Sequence, residues 1–172
     1  MVTAAPPHPD AFAAPLREQL EWFVDQHRRG IRGSLEGLTE EEVRRRLVPS
    51  ATTLLGLVKH ATFVEQVWFD EAITGRSRAE IGIGETVDES FVLEPDDTIA
   101  SVVSRYDEAC AASRAAAAQL GVDDEVSGNR RGPLPMRWIF LHVIRELAQH
   151  CGHADILREQ ILASRDPSGP VR

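Results

Sequence analysis

The chain has 172 residues, and its 27 acidic and 19 basic side chains give a formal net charge of −8 at pH 7. This acidic balance argues against nucleic-acid binding, which usually requires a basic stripe. No apolar run approaches the roughly 20 residues that span a bilayer, and the first residues do not resemble a secretory signal. Two cysteines, Cys110 and Cys151, do not form a disulfide-rich scaffold. We therefore expect one cytoplasmic domain over residues 1–172, without nucleic-acid or membrane partners and with flexible ends at 1–12 and 164–172.

Two helices are predicted before residue 50. Segment 15–38 has apolar side chains at steps of three, four and seven residues, the period of an α-helix: Leu16, Leu20, Phe23, Val24, His27, Ile31 and Leu35. Thr39 and Glu42 then form a capping-box pair that predicts a short extra helix, which ends before Pro49 and Ser50.

The second long helix is predicted at residues 52–75, with Gly75 as its C-terminal cap. The polar stretch that follows runs through Pro95 and is too long for a simple turn. Within it, SFVLEP (90–95) is expected to be a short extended piece.

The remaining two long helices complete the bundle. Asp96 and Asp97 suit a helix N-terminus and predict the start of the third long helix, which ends at Gly121. After another loop, the fourth is predicted from about Pro135 to Ala163. Four long amphipathic helices without a convincing set of strands predict an all-α four-helix bundle, with the short extra helix between helices 1 and 2.

An unusual polar stripe lies on the edge of the buried face of the fourth helix. At about 100° per residue, the stripe spans about 80° beside the apolar arc; its members are His142, Glu146, His150 and His153. His60 lies near the middle of the apolar face of the second helix. A buried carboxylate costs several kcal/mol unless it is paired or bound to a cation, and a buried imidazole needs hydrogen-bond partners.

A divalent metal ion would satisfy both demands. Glu146 and His150 are i, i+4 neighbours that can reach one ion, and His60 would be the third ligand. Three protein ligands leave one position open, as in catalytic zinc sites. The alternative is a set of hydrogen-bonded core histidines, with Glu146 paired to a nearby arginine such as Arg145. A di-iron site is not favoured, because no Glu is followed three residues later by His.

Two segments resemble the DinB-like metalloenzyme superfamily: LLGLVKHATFVEQVWF (54–69), with VPS upstream, and PMRWIFLHVIRELAQHCGHADILRE (135–159). The similarity extends from about Leu16 to Ile161 and implies a four-helix bundle that binds one divalent metal. The superfamily's ligands fall on His60, Glu146 and His150, with glutamate where a histidine is usual. A similar His, Glu, His set surrounds zinc in the branch of mycothiol-dependent maleylpyruvate isomerase. The implied metal is zinc, with nickel as a second option.

The resemblance also implies an activity, that of a low-molecular-weight-thiol S-transferase or isomerase using mycothiol, bacillithiol or glutathione. Mycothiol is favoured, because the arginine-rich composition suits the GC-rich bacteria that make it. The metal would activate the thiol, whose thiolate would add to an electrophile. His153 or His142 would move a proton, and the arginines of GNRRGPLPMR (128–137) would contact carboxylates of the thiol cosubstrate.

Two other functions stay open at this point. A metal-bound water would give a hydrolase, and a purely structural polar stripe would give a non-catalytic helical binding or stress-response module. The sequence does not define the electrophile or the oligomeric state, and a homodimer is one option. The aromatic residues Trp68, Phe69 and Trp138 are expected in the core rather than on a substrate platform.

Overall fold

The computed structural model of the chain describes residues 12–165. The ends predicted to be flexible therefore lie outside the described residues, except for Phe12, Ser164 and Arg165. Within the described range, no helix is both long and apolar enough to cross a membrane. The elements in chain order are α1 (Leu16–Gly33), α2 (Glu40–Val43), α3 (Leu54–Gln66), a π-helical turn (Val67–Glu71), α4 (Ala72–Thr74), α5 (Arg78–Ile81), a 3-10 turn (Asp88–Phe91), α6 (Ile99–Ala117), β1 (Glu125–Val126), β2 (Leu134–Pro135) and α7 (Met136–Ala163).

The four long helices pack side by side, which confirms the predicted all-α bundle. Helix α7 is antiparallel to α3 and parallel to α1, and α1 is antiparallel to α6. These directions follow from the contacts His60–His150, Trp68–Trp138, His27–Cys151, Ser34–Arg158, Asp25–Arg114 and Arg32–Asp107. The long connection between the parallel helices α3 and α6 runs back along α3, past His60 and Lys59, and carries α5 and the 3-10 turn.

The helical period predicts most of the inward face of α1. Leu20, Val24 and Ile31 are buried in the core, as expected. Leu16 and Phe23 are exposed, because at about 100° per residue they lie at the edge of the stripe of Leu20, Val24 and Ile31. Phe23 packs there edge-on against Trp22, with ring centroids 4.8 Å apart.

Local capping signals predict the short helix but not the start of α6. Thr39 and Glu42 form the predicted capping box of α2. Helix α6, however, begins after Thr98, whose side chain accepts a hydrogen bond from the backbone of Ser101. The prediction that Asp96 and Asp97 open this helix is therefore wrong. The only paired strands among the described residues are β1 and β2, two residues each.

Asp97 has a tertiary role instead. It is fully buried, and one carboxylate oxygen accepts hydrogen bonds from Lys59 Nζ at 2.8 Å and from the backbone N–H of Glu94 at 2.9 Å. Arg105 pairs with the other oxygen. Burial works against the charged form, but these donors outweigh it and hold the pKa of Asp97 below its usual value of 3.8. The carboxylate thus connects α3, the long connection and α6.

Replacing Asp97 with asparagine is expected to lower the free energy of unfolding at neutral pH. It should also make this free energy fall less steeply as the pH is lowered. The depressed pKa means that the stabilisation by Asp97 is fully present above the unfolded-state pKa. It is lost as the pH falls below that value towards the lower pKa of the folded state. Urea unfolding at neutral and acidic pH measures both effects. Asp96→Asn, at an exposed neighbouring position, is the matched control; equal pH profiles for the two variants would contradict the assignment.

Candidate metal centre

His60 is held on the inward face of α3. Thr53 caps this helix, and its side chain accepts a hydrogen bond from the backbone N–H of Gly56 at 3.0 Å. The helical period then turns His60 inward with Leu57 and Val64, and all three are buried. The ring of His60 lies 4.6 Å, centroid to centroid, from that of His150 on α7. The sequence placed His60 correctly in the middle of an apolar face.

Glu146 and His150 lie one turn apart on α7 and face α3. His150 Nε2 is 3.8 Å from Glu146 Oε2. One ligand atom each from His60, Glu146 and His150 lies within 4.8 Å of the other two. Two separate parts of the chain therefore converge on one point, and the three residues fit the two-nitrogen, one-oxygen donor set of a divalent cation.

The free ring atoms of His150 also fit a cation. Its Nδ1 is buried and has no hydrogen-bond partner among the described residues, and its Nε2 lies 3.8 Å from Glu146 Oε2, which is too far for a hydrogen bond. Buried polar atoms are rarely left without a partner. An ion held between His150, Glu146 and His60 would bind one of these two nitrogens.

The protonation states favour metal binding as well. Burial, reinforced by the nearby His150, lowers the pKa of His60 to about 3. Burial also lowers the pKa of His150, and Glu146 opposes this shift only in part. Both imidazoles are therefore neutral at pH 7, which is the form that offers a lone pair to a metal.

Glu146 uses its two oxygens for different contacts. Arg145 donates a hydrogen bond to Oε1 at 2.6 Å, whereas Oε2 faces His150. The ion pair with Arg145, which the sequence left open as an alternative to metal binding, is thus present, but it leaves the second oxygen free. Because Arg145 is largely exposed, the pair contributes little to stability.

The two histidines predicted to move a proton flank the three residues without joining them. The ring of His142 stacks on Trp138 at 4.9 Å and also contacts Trp68 at 4.3 Å. Its Nε2 is 3.7 Å from Glu146 Oε1. His153 is exposed, and its ring centroid lies 5.6 Å from that of His150. Their roles in proton transfer remain predictions.

The sequence did not identify two residues that contact His60. Ser90 Oγ lies 2.7 Å from His60 Nδ1, and the ring of Phe91 stacks on His60 at 4.0 Å with an interplanar angle of 12°. Both residues belong to the 3-10 turn, so the prediction that SFVLEP is extended is wrong for its first two residues. No spacing rule links position 90 to position 60, since only the packing of the long connection brings them together.

The aromatic residues near the three converging residues differ in burial, and the arginines of segment 128–137 differ in their partners. Trp68 and Phe69 are buried, as predicted, whereas Trp138 is only partly covered. Among the arginines of GNRRGPLPMR, Arg131 lies over the ring of Trp138 at 5.7 Å. The other two are paired elsewhere, Arg130 with Glu85 and Arg137 with Asp123. Arg131 is thus the arginine of this segment that borders the aromatic cluster beside Glu146.

A separate groove of about 870 Å³ lies between α3, α6 and the long connection. It shares Phe63 and Ser90 with the surroundings of His60. Two of the charged side chains that line the groove, Lys59 and Arg105, form ion pairs with Asp97. None of the three converging residues, His60, Glu146 and His150, lines this groove.

Gly56 allows the long connection to approach α3 one turn before His60. A Cβ atom at position 56 would lie 2.8 Å from the backbone oxygen of Phe91 and 2.9 Å from Thr53 Oγ1. Gly56→Ala is therefore expected to destabilise the protein by about 1–3 kcal/mol, because backbone has to move. Thermal and urea unfolding measure this change.

Gly152→Ala is the matched control, because a Cβ there meets nothing within 4 Å. Alanine at this position of α7 is expected to add about 0.5–1 kcal/mol of stability. A Gly56→Ala variant that is also stabilised would show that the Phe91 backbone does not pack against α3 this closely.

The bundle, with two histidines and a glutamate contributed by α3 and α7, defines a DinB-like helical protein. A comparison with protein families then identifies the family: the model of MST, mycothiol S-transferase, matches residues 19–163. The chain belongs to this family, which is DinB-like, and the resemblance inferred from the two helical segments is confirmed. A comparison with curated proteins found no match.

Proposed function

We propose that His60, Glu146 and His150 bind one divalent metal ion, zinc or alternatively nickel, and that the protein is a mycothiol-type thiol S-transferase or isomerase. The observation that carries the proposal is the convergence of three ligand atoms within 4.8 Å in a member of the mycothiol S-transferase family. The donor set and the neutral state of both imidazoles support it.

Three protein ligands leave room for a thiol cosubstrate at the ion. When bound, a divalent ion lowers the pKa of such a thiol, so that the reactive thiolate is present at neutral pH. Arg145 holds Glu146 Oε1, which keeps the other carboxylate oxygen directed towards His150. The protein's own contribution is thus to fix the ligands before the cosubstrate arrives.

His142 is the proposed acceptor of the thiol proton, at Nε2. Burial lowers the pKa of His142, with Glu146 opposing the shift, so the ring is neutral and able to accept a proton at pH 7. His153, which is exposed on the next turn beyond His150, is the proposed route by which a proton reaches solvent. Arg131, beside Trp138, is the proposed contact for a carboxylate of the cosubstrate or electrophile.

The proposed substrates are a small-molecule thiol, mycothiol in the first place, and an electrophile. Low-molecular-weight thiols are kept reduced in the cytoplasm, and we place the protein there. Cys110 and Cys151 are both free thiols, but burial raises their pKa values to about 12 and about 11. They are therefore protonated at pH 7 and unsuited to act as nucleophiles themselves.

The test combines elemental analysis with calorimetry. Protein purified without added metal is analysed for zinc and nickel, and mycothiol, bacillithiol and glutathione are titrated into metal-loaded and chelator-treated samples. The proposal expects mycothiol to bind the loaded protein and not the stripped one. Binding of no thiol to the loaded protein would overturn the transferase assignment. In that case, cleavage of ester or amide substrates that a chelator abolishes would identify a hydrolase. If the protein takes up no metal at all, it would be a non-catalytic helical bundle.

A further inference from the structure

Three groups form a hydrogen-bonded chain that ends on His60. His60 Nδ1 lies 2.7 Å from Ser90 Oγ, and the Ser90 hydroxyl donates a hydrogen bond to the backbone oxygen of Val87. A carbonyl oxygen only accepts, and a hydroxyl has one hydrogen. Since that hydrogen is directed to Val87, Ser90 Oγ must accept a hydrogen from His60 Nδ1.

This direction fixes the tautomer of His60. A neutral imidazole carries one hydrogen, and here it is on Nδ1, which leaves the lone pair on Nε2. Nε2 is then the only atom of His60 that can bind an ion. A hydrogen-bond acceptor on the ring nitrogen that does not bind the metal fixes both the tautomer and the orientation of a metal-binding histidine.

The same turn also restricts the orientation of the ring. Phe91, next to Ser90, stacks almost parallel on His60 at 4.0 Å. The backbone oxygen of Phe91 is in turn packed closely over Gly56 on α3. The 3-10 turn is thus held against the helix that carries His60, and it contacts the ring through one polar and one aromatic neighbour.

We propose that Ser90 is a positioning residue of the metal centre: it holds His60 in the Nδ1–H tautomer and presents Nε2 to the ion. This inference rests on the proposed metal site. It makes the connection between α3 and α6, and not only the two ligand-bearing helices, part of the site. Metal affinity therefore depends on a turn whose residues supply no ligand.

The variant test compares two hydroxyl deletions, one in the 3-10 turn and one just before it. Ser90→Ala is expected to weaken zinc binding 10–100-fold, roughly the cost of losing a partner that orients a ligand. Thr86→Ala removes an exposed hydroxyl that caps the backbone of Glu89 and does not contact His60; it is expected to bind zinc as the wild type does. Competition with a chromophoric chelator measures both affinities. Equal affinities for the two variants would overturn the proposal.

A second measurement needs no variant and no metal. Long-range ¹H–¹⁵N correlation spectra of the metal-free wild-type protein report which ring nitrogen of His60 carries the hydrogen. The Nδ1–H form is expected, and the Nε2–H form would overturn the role of Ser90. Because this experiment does not involve an ion, it separates a failure of the Ser90 proposal from a failure of the metal site, which wild-type zinc titration tests directly.

Discussion

Glu146→Gln is expected to weaken binding of a divalent metal by more than about 100-fold. Removing a residue that only orients a metal ligand typically lowers metal affinity about 10–100-fold. Loss of a ligand itself should therefore lower the affinity by at least the upper end of that range. Glutamine keeps the shape of the side chain but removes the only negative charge among the three converging residues. Calorimetric titration of zinc into the metal-free protein measures the change.

Glu159→Gln is the control for this substitution. Glu159 is an exposed carboxylate on the same helix, so its loss should leave zinc affinity unchanged. Thermal unfolding gives a second readout, because an ion at 100 times its dissociation constant stabilises a protein by about 2.7 kcal/mol. The wild type and Glu159→Gln should show this zinc-dependent shift. Retention of the full shift by Glu146→Gln would remove Glu146 from the ligand set.

The long helices could be predicted because their signals are local. Helical periodicity depends on which residues follow one another, and the bounds of α7, Met136–Ala163, lie within a residue of those predicted. The capping box of α2 is equally local. Packing of four such amphipathic helices around one core follows from the need to bury their apolar faces.

Features decided by distant partners could not be predicted in this way. By its local sequence, Asp97 suits a helix N-terminus, but Lys59 and Arg105 offer the buried carboxylate better partners, and Thr98 caps α6 instead. Ser90 likewise gives no local signal, since its contact with His60 depends on the path of the long connection. For the candidate site, the sequence therefore predicts the residues on the helices, His60, Glu146 and His150, and not Ser90 and Phe91 on the long connection.

The residues of the candidate site could be found because they violate a pattern. The helical period predicts an apolar side chain at position 60, which His60 occupies. Glu146 and His150 lie on the edge of the apolar face of the fourth long helix. Arg28 violates the same pattern, four residues after Val24 and three before Ile31, both of which are buried. The position of Arg28 in the sequence therefore carries the same signal as that of His60. At this position, however, the buried charge of Arg28 belongs to an ion pair and not to a metal site.

Arg28 and Glu65 form this pair in the core between α1 and α3. Both side chains are buried, and Arg28 Nε and Nη2 donate to the two carboxylate oxygens at 2.8 and 2.5 Å. Asp25 accepts a further hydrogen bond from Arg28 at 2.9 Å. Burial works against the charged guanidinium, but Glu65 outweighs it and raises the pKa of Arg28 above its usual value. Two-point geometry of this kind satisfies most of the donors and acceptors of both groups.

Glu65→Leu is expected to lower the free energy of unfolding by about 3–5 kcal/mol, because it leaves the buried guanidinium without its main partner. The double variant Arg28→Met/Glu65→Leu is expected to recover most of that loss, since two apolar side chains remove both desolvation costs. Urea unfolding of the wild type, both single variants and the double variant gives the coupling energy directly. Glu85→Ala, which breaks the exposed pair with Arg130, should change stability by less than about 1 kcal/mol. A double variant as unstable as Glu65→Leu would mean that the pair stabilises the core beyond what apolar packing at the same positions achieves.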